Sequence, residues 1–451
     1  MKMNVVIRVS TAVVAVFLMV SAGFAQGQLE QRVRQEVSSL MDTYTYLHSH
    51  PELSYFEKET SAFLATELGE LGFTVSEEVG DYGVEGRNSY GLVAVLENGP
   101  GPTVLIRTDT DALPVTENTG ATYASTVTTP DENGVEVGVM HACGHDVHMT
   151  SFLGTARMLT AMKDSWSGTV VMIGQPAEER GAGARSMLNG GLFENFPKPD
   201  YGLALHVHAA VEAGKVGWAS GYHMASVDSV DITVRGRGGH GAYPHTTIDP
   251  VVIAARIVTG LQTLVSREVS PLESAVVTVG SIHGGSKHNI IPDAVHMQLT
   301  VRSYKPEVRQ QVLAGIRRVA RGVALSAGVP PELEPIVEIA EEEFTPASYN
   351  DPALVERVVG VFNDTLGEER VVEVQPVMGG EDFSRYGLQD HKVPIFMFRV
   401  GAVDPAKYRE YQAAGRPLPS LHSSEFLPVA EPAIRTGITA MTSAVLELLK
   451  K

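Results

Sequence analysis

Apolar positions along the chain follow two different rhythms. Leu29, Val33, Val37, Leu40, Met41, Tyr44 and Leu47 recur at three- and four-residue spacing, which predicts a helix with one buried stripe that Pro51 stops. Phe63, Leu64, Leu68 and Leu71 predict a second amphipathic helix, with Gly72 in the position just past its end that C-caps favour. Short continuous apolar runs come next at Leu92–Leu96, Val104–Ile106, Val170–Ile173 and Leu203–Leu205, separated by helical patterns such as Phe152–Met162. Strands that are apolar throughout and alternate with helices predict an α/β sheet buried on both faces.

From about residue 224 to 338 the order changes. Strand 227–234, helix 249–268, strand 275–282, strand 294–303, helix 306–327 and a last strand near 333–338 make β-α-β-β-α-β, the ferredoxin-like unit. In helix 306–327 the residues Val308, Val312, Ile316, Val319 and Val323 share one stripe, while Arg309, Arg317, Arg318 and Arg321 lie off it in solvent. After Glu341–Glu343 the α/β pattern resumes and ends in a helix around Ala433–Leu449. The expected architecture is an α/β domain split in sequence, residues 26–223 and 339–451, with a smaller α+β domain, residues 224–338, inserted between its halves.

Residues 1–25 have a different layout: Lys2 and Arg8 precede an apolar stretch from Thr11 to Val20, and small residues stand at Gly23 and Ala25. That pattern predicts a signal peptide cleaved after Ala25, hence an exported protein, periplasmic or secreted. The uncharged stretch, about Val9 to Gln26, is at the short end for a span of ~20 residues, so no membrane association is expected once the segment is removed. The 451 residues carry a formal net charge of −18, which repels a phosphate backbone and argues against a nucleic-acid partner. Cys143 is the only cysteine, so no intramolecular disulfide can form.

Cys143 lies in Met140-His141-Ala142-Cys143-Gly144-His145-Asp146-Val147-His148. Thiolate and imidazole are the ligands that zinc and similar ions prefer, and Cys-x-His sets two of them close together on one loop. Three further segments come after predicted strands or stand late in the chain: Gln175-Pro176-Ala177-Glu178-Glu179, Ala204-Leu205-His206-Val207-His208 and Leu421-His422-Ser423-Ser424. Near a dication, paired carboxylates can divide their roles, one coordinating and the other accepting a proton from water. Arg107-Thr108-Asp109-Thr110-Asp111-Ala112-Leu113-Pro114 adds Asp109 and Asp111, carboxylates of the kind that orient metal ligands from behind.

Taken in order, RTDTDALP, MHACGHDVH, QPAEE, ALH, GRGGHGAYPH, HNIIPD, GGEDF and LHS resemble the metallo-aminoacylase and carboxypeptidase family. The branch they resemble includes auxin-conjugate hydrolases and hippurate hydrolases. The resemblance covers nearly all of the chain after residue 25. It implies a zinc-peptidase-like catalytic α/β domain with an inserted ferredoxin-like lid and dimerisation domain. By motif it implies Cys143, His145, Glu179, His206 and His422 as ligands of two divalent metal ions, zinc or manganese, with Cys143 as the bridge. It implies Glu178 as general base, His240 as a lid histidine that reaches the tetrahedral intermediate, and Asn289 and Arg302 as residues that bind a substrate carboxylate. The implied activity is hydrolysis of the amide in N-acyl or N-aroyl amino acids or similar conjugates, by a homodimer. The alternatives are a carboxypeptidase or dipeptidase and, in a different class, a non-catalytic binding protein on the same fold. Thr128–Glu136 and Asp404–Pro419 are extra stretches beside the implied site.

Overall fold

In a computed structural model of the chain, which describes residues 29–389 and 392–451, the continuous apolar runs become the inner strands of an eight-stranded sheet. The leader expected over residues 1–25 lies outside the described residues. Strands Gly168–Gln175, Thr103–Asp109, Tyr201–Glu212 and Ile395–Val403 run parallel in that order at the centre. Leu92–Asn98 and then Thr74–Ser76 extend one edge antiparallel. On the other edge Val216–Trp218 pairs antiparallel with Ile395–Val403, and Val371–Glu373 lies parallel beside it.

Alternate residues of each inner strand enter different cores, as strand geometry requires. Val104, Ile106, Leu203, Leu205, Phe396 and Phe398 join one cluster with the helices 29–49, Lys58–Glu70, His145–Ala161, Pro352–Leu366 and Ala430–Leu448. Leu105, Ala204, Ile395 and Met397 join the other, under the short helices Gly183–Asn189, Leu192–Asn195 and Ser384–Gly387. The sheet is buried on both faces, as the unbroken apolar runs require.

Residues 226–339 form a separate four-stranded antiparallel sheet in the order Ala275–His283, Ala294–Ser303, Ser226–Arg235, Ile336–Ile339. Helices Pro250–Thr263 and Pro306–Ser326 pack on it around their own apolar cluster. Numbered along the chain, that strand order is 2-3-1-4, the ferredoxin-like arrangement.

Local differences from the sequence expectation have physical causes. The helix expected from Phe152 begins at His145, because its first turn is built from motif residues whose polarity hides the periodicity. The helix expected over 249–268 is α-helical only to Thr263 and closes in a π-helical turn over Leu264–Glu268. The stretch 128–136 pairs back as a hairpin, Thr128–Pro130 against Glu136–Gly138, and 404–419 contains an exposed helix, Pro405–Ala413, capped by Asp404. Among the described residues no helix is long and apolar enough to cross a membrane.

Candidate metal and catalytic site

Parallel strands end together, and the motifs stand at those ends. Asp109 closes the strand Thr103–Asp109, and Gln175 closes its neighbour and leads into Pro176-Ala177-Glu178-Glu179. His206 lies on the next strand, two residues past the Arg107 and Ala204 pairing and so level with Asp109. Cys143 sits in the turn before the helix His145–Ala161. Gly144, the N-cap, has φ +78°, and a Cβ there would meet Val207 Cγ2 at 2.5 Å, so only glycine lets this turn lie against the His206 strand. His422 is delivered by a distant loop whose backbone N–H donates to the Ala142 carbonyl at 2.9 Å.

These elements bring Cys143, His145, His206, Glu178, Glu179 and His422 together. Cys143 Sγ lies 3.6 Å from His206 Nε2, His145 Nε2 lies 3.8 Å from Glu179 Oε1, and His422 Nε2 lies 3.5 Å from Glu179 Oε2. Glu178 Oε2 is 4.0 Å from His145 Nε2. Two groups of donor atoms share Cys143: one with His145 and His206, the other with Glu179 and His422, each within 4.8 Å.

Hydrogen bonding decides which atoms are free. His145 Nδ1 faces the Asp111 carbonyl at 2.7 Å, and His206 Nδ1 faces the Val207 carbonyl at 2.7 Å. A carbonyl only accepts, so both rings carry a proton on Nδ1 and turn Nε2 to the cluster. His148 is different: its Nδ1 bonds Asp109 Oδ1 at 2.7 Å and its Nε2 accepts the Val207 N–H at 2.8 Å, so neither nitrogen is left to coordinate. Among the described residues, His145 Nε2, Glu179 Oε1 and Asp111 Oδ1 are buried without a hydrogen-bond partner. Buried polar atoms are rarely left so, and the orphaned donors together with the thiol suit borderline-soft divalent cations.

Electrostatics point the same way. Burial, then the Glu179, Glu178 and Asp109 charges, push the Cys143 thiol well above its ordinary value. Burial, then Glu381 and Glu179, does the same to Glu178, while burial and Asp111 lift Glu179 to about 7 in spite of His145. A thiol and two carboxylates crowded out of water are costly as anions unless positive charge joins them.

Asp109 and Asp111 lie behind the cluster. Asp109 accepts from Arg107 at 2.7 Å as well as from His148, and Asp111 Oδ2 accepts from Ser54 at 2.6 Å and from the Glu179 N–H at 3.0 Å. The Arg107 guanidinium also donates to Gln175 at 3.1 Å, Glu381 at 2.9 Å and Asp382 at 3.3 Å. Arg107, His148, Glu381 and Asp382 stand within the sequence motifs, but their supporting role was not apparent there, since only the fold reveals that RTDTD and GGEDF meet.

The smaller sheet's candidates stand apart. His240 is exposed, pairs with Ile290, and accepts the Ala242 N–H on Nδ1 at 3.0 Å with its ring 5.3 Å from Tyr243. Asn289 is exposed beside it, its carbonyl accepting the Gly241 N–H at 2.8 Å. Arg302 is half-buried and donates to Thr300 at 3.0 Å; its Nη1 is 3.5 Å from where a Cβ on Gly380 would lie, next to Glu381. Among the described residues no hydrogen bond or ion pair joins these three to the Cys143, His145, Glu179, His206 and His422 cluster.

A split α/β sheet with a ferredoxin-like insert and a thiol, histidine and carboxylate cluster at its strand ends defines a class of metallohydrolase. The chain belongs to peptidase family M20/M25/M40, whose pattern matches residues 105–430. It is 35% identical over 416 residues, 92% of this chain and 96% of the relative, to thermostable carboxypeptidase 1 of Saccharolobus solfataricus. It is 36% identical over 382 residues, 84% of this chain and 79% of the relative, to the IAA-amino acid hydrolase ILR1-like 4 of Arabidopsis thaliana. The crystal structure of a dinuclear metal binding peptidase of the M20 family from Bacillus subtilis superposes with a TM-score of 0.71 at 29% identity, covering 92% of this chain and 99% of that one.

Proposed function

We propose that the protein is an exported, homodimeric amidohydrolase that uses two divalent metal ions, zinc or manganese, to cleave the amide bond of N-acyl or N-aroyl amino acids or similar conjugates. The observation that carries this reading is Glu178: a carboxylate only 9% exposed, without a hydrogen-bond partner among the described residues, beside a set of free metal donors.

Cys143, His145, Glu179, His206 and His422 would hold the ions, with Cys143 common to both groups. When bound, the metals supply Lewis acidity and bring the pKa of water toward ~7. Glu178 takes the proton of the attacking water and hands it to the leaving amine, a role suited to a carboxylate whose burial has already raised its proton affinity. Asp109 and Asp111 hold the ligand loops and keep His145 turned to the cluster. Residues 224–338 act as a lid whose Arg302 and Asn289 grip the free carboxylate of the substrate, and His240 stabilises the developing oxyanion. Since His240 is exposed and, among the described residues, no hydrogen bond or ion pair joins it to the cluster of its own chain, this reading has it serve the partner's site. The carboxypeptidase alternative is favoured by the relative of that name, which matches this chain over nearly its whole length.

Turnover of N-acetyl, N-benzoyl and indole-acetyl amino acids, compared with dipeptides, under zinc and manganese separates these readings. Acyl amino acids should be the better substrates. Glu178→Gln should lower kcat by at least ~10² with metal content intact, whereas Glu179→Gln should lose metal too. Equal metal loss in both variants would end this division of roles, and no turnover of any amide would favour a binding protein.

A further inference from the structure

Arg399 belongs to neither group of metal donors nor to the Arg107 network. It lies on the strand Ile395–Val403 directly across from His206, so the two side chains leave the sheet on the same face. Its side chain is interior, with the residue 6% exposed, yet among the described residues no carboxylate lies within ion-pair distance and none makes a hydrogen bond with it. The nearest acids, Glu381 and Glu178, act on it only through space, and Glu381 Oε1 is already held by Arg107 and by the Phe383 N–H at 2.9 Å. A guanidinium remains charged in any protein environment, and burying one unpaired is strongly unfavourable.

The space in front of Arg399 is a small cleft open to solvent, about 10 Å³, with room for a single group the size of a water molecule. His208 and His223 line it together with Arg399, and Gln375 stands at its rim. His208 Nδ1 accepts the Ala210 N–H at 3.0 Å, which leaves Nε2 to carry the ring proton and donate. His223, 4% exposed, is steadied by Ser348 at 2.9 Å. The remaining wall is apolar, with Ala219 and Met397, so an anion entering it would exchange water for a planar fork of donors in a low-dielectric setting.

We propose that Arg399, with His208, forms a second carboxylate subsite beside the metal cluster, and that the substrate carries two carboxylates. This deepens the amidohydrolase reading and rests on it for the reaction. With Arg302 taking the free α-carboxylate, the second carboxylate comes from one of two places: the side chain of an acidic amino acid, or a dicarboxylic acyl group. The shared chemistry is a carboxylate held in bidentate fashion by a guanidinium.

Two measurements test it on the metal-loaded protein, with Arg399→Met and Arg399→Lys. First, kcat/KM is determined for N-acetylglutamate, N-succinylleucine and N-acetylleucine. The preference for at least one of the two dicarboxylates over N-acetylleucine should fall tenfold or more in Arg399→Met and less in Arg399→Lys, and whichever dicarboxylate responds identifies the source. Second, glutarate binding is measured by calorimetry, which needs no turnover, and Kd should rise at least tenfold in Arg399→Met. Loss of an unpaired buried charge should leave the Met variant no less thermally stable than the parent in anion-free buffer. Should it nevertheless not fold, the smaller selective loss in Arg399→Lys carries the same comparison. If the three substrates decline in parallel, or glutarate binds both proteins equally, the subsite is refuted. If acetate fills the cavity without competing with either dicarboxylate, the cavity belongs to a separate anion and the proposal fails. If no acyl amino acid is hydrolysed but glutarate still distinguishes the variants, the amidohydrolase reading falls and the carboxylate subsite stands.

Discussion

His48 ties the first helix to the cluster loop, and its charge can be read from its contacts. It stands at the end of helix 29–49 with Nδ1 2.7 Å from Asp146 Oδ2 and Nε2 3.1 Å from Glu117 Oε1, all three side chains essentially inaccessible. Each nitrogen faces a carboxylate, and an ionised carboxylate only accepts, so both nitrogens must donate and the ring is an imidazolium. Burial by itself would lower its proton affinity, but the hydrogen bond and charge of Asp146, then Glu117, raise the pKa from 6.5 to about 9. At 1.36 kcal/mol per tenfold change in proton affinity, that is about 3 kcal/mol of folding stability. The folded state binds the proton more tightly than the unfolded one. The contribution is therefore complete below pH 6.5 and is lost as pH rises through about 9.

His48→Gln keeps a side chain that can hydrogen-bond and removes the charge. In urea unfolding at pH 6, 7.5 and 9.5, the stability gap between parent and variant should be largest at pH 6 and shrink by about 3 kcal/mol by pH 9.5. Both proteins are compared in the same metal state, so the pH dependence of metal binding cancels. Asp146 is the residue after His145, so loosening it should also weaken metal affinity about tenfold. A gap that stays constant over this range would mean that His48 is neutral in the folded protein and that one of the two carboxylate contacts is not made.

Three further outcomes are expected. Cys143, 6% exposed and beside His206, should react slowly with thiol reagents in the metal-loaded protein and quickly after chelation; equal rates would make it a structural thiol. Arg302→Met should raise KM for N-acyl amino acids, and the parent should turn over N-acyl amino acid amides poorly; equal turnover of acids and amides would remove Arg302 and Asn289 from carboxylate recognition. Glu178→Ala and His240→Ala chains, each inactive alone, should recover about 25% of parental activity when co-expressed as mixed dimers; verified heterodimers without recovery would refute the service of His240 in trans.

The architecture was legible because both rhythms are driven by burial. Leu105 and Ala204 had to be as apolar as their neighbours only because the sheet is covered on both faces, and that is what the unbroken runs recorded. The start of the helix at His145 was not legible, since His145, Asp146 and His148 are buried for their hydrogen bonds and carry no apolar stripe. For the same reason the motifs could not rank their own histidines. His148 differs from His145 and His206 only in what its nitrogens meet, and Val207 N–H and Asp109 come from other segments of the chain. Arg399 left no signal at all: it sits in Ile395–Val403 among apolar residues, and its isolation is visible only when every neighbour is placed.

Two of the five described non-glycine residues with positive φ stand where the cluster is assembled. Ala177 and His422 have φ of +48° and +68°, a region non-glycine residues avoid. Each costs about 1–3 kcal/mol and persists only where surrounding structure enforces it. The restraints are identifiable: the Ala177 N–H is held by the buried Glu57 carboxylate at 2.7 Å, and the His422 N–H by the Ala142 carbonyl at 2.9 Å. Ala177 immediately precedes Glu178 and Glu179, and Ala142 immediately precedes Cys143, so each restraint acts directly on a residue that turns into the cluster. A relaxed turn at either position would point Glu178 or His422 elsewhere. The strain is thus the local cost of converging side chains from four separate segments onto one small volume, offset by the two-faced core behind it.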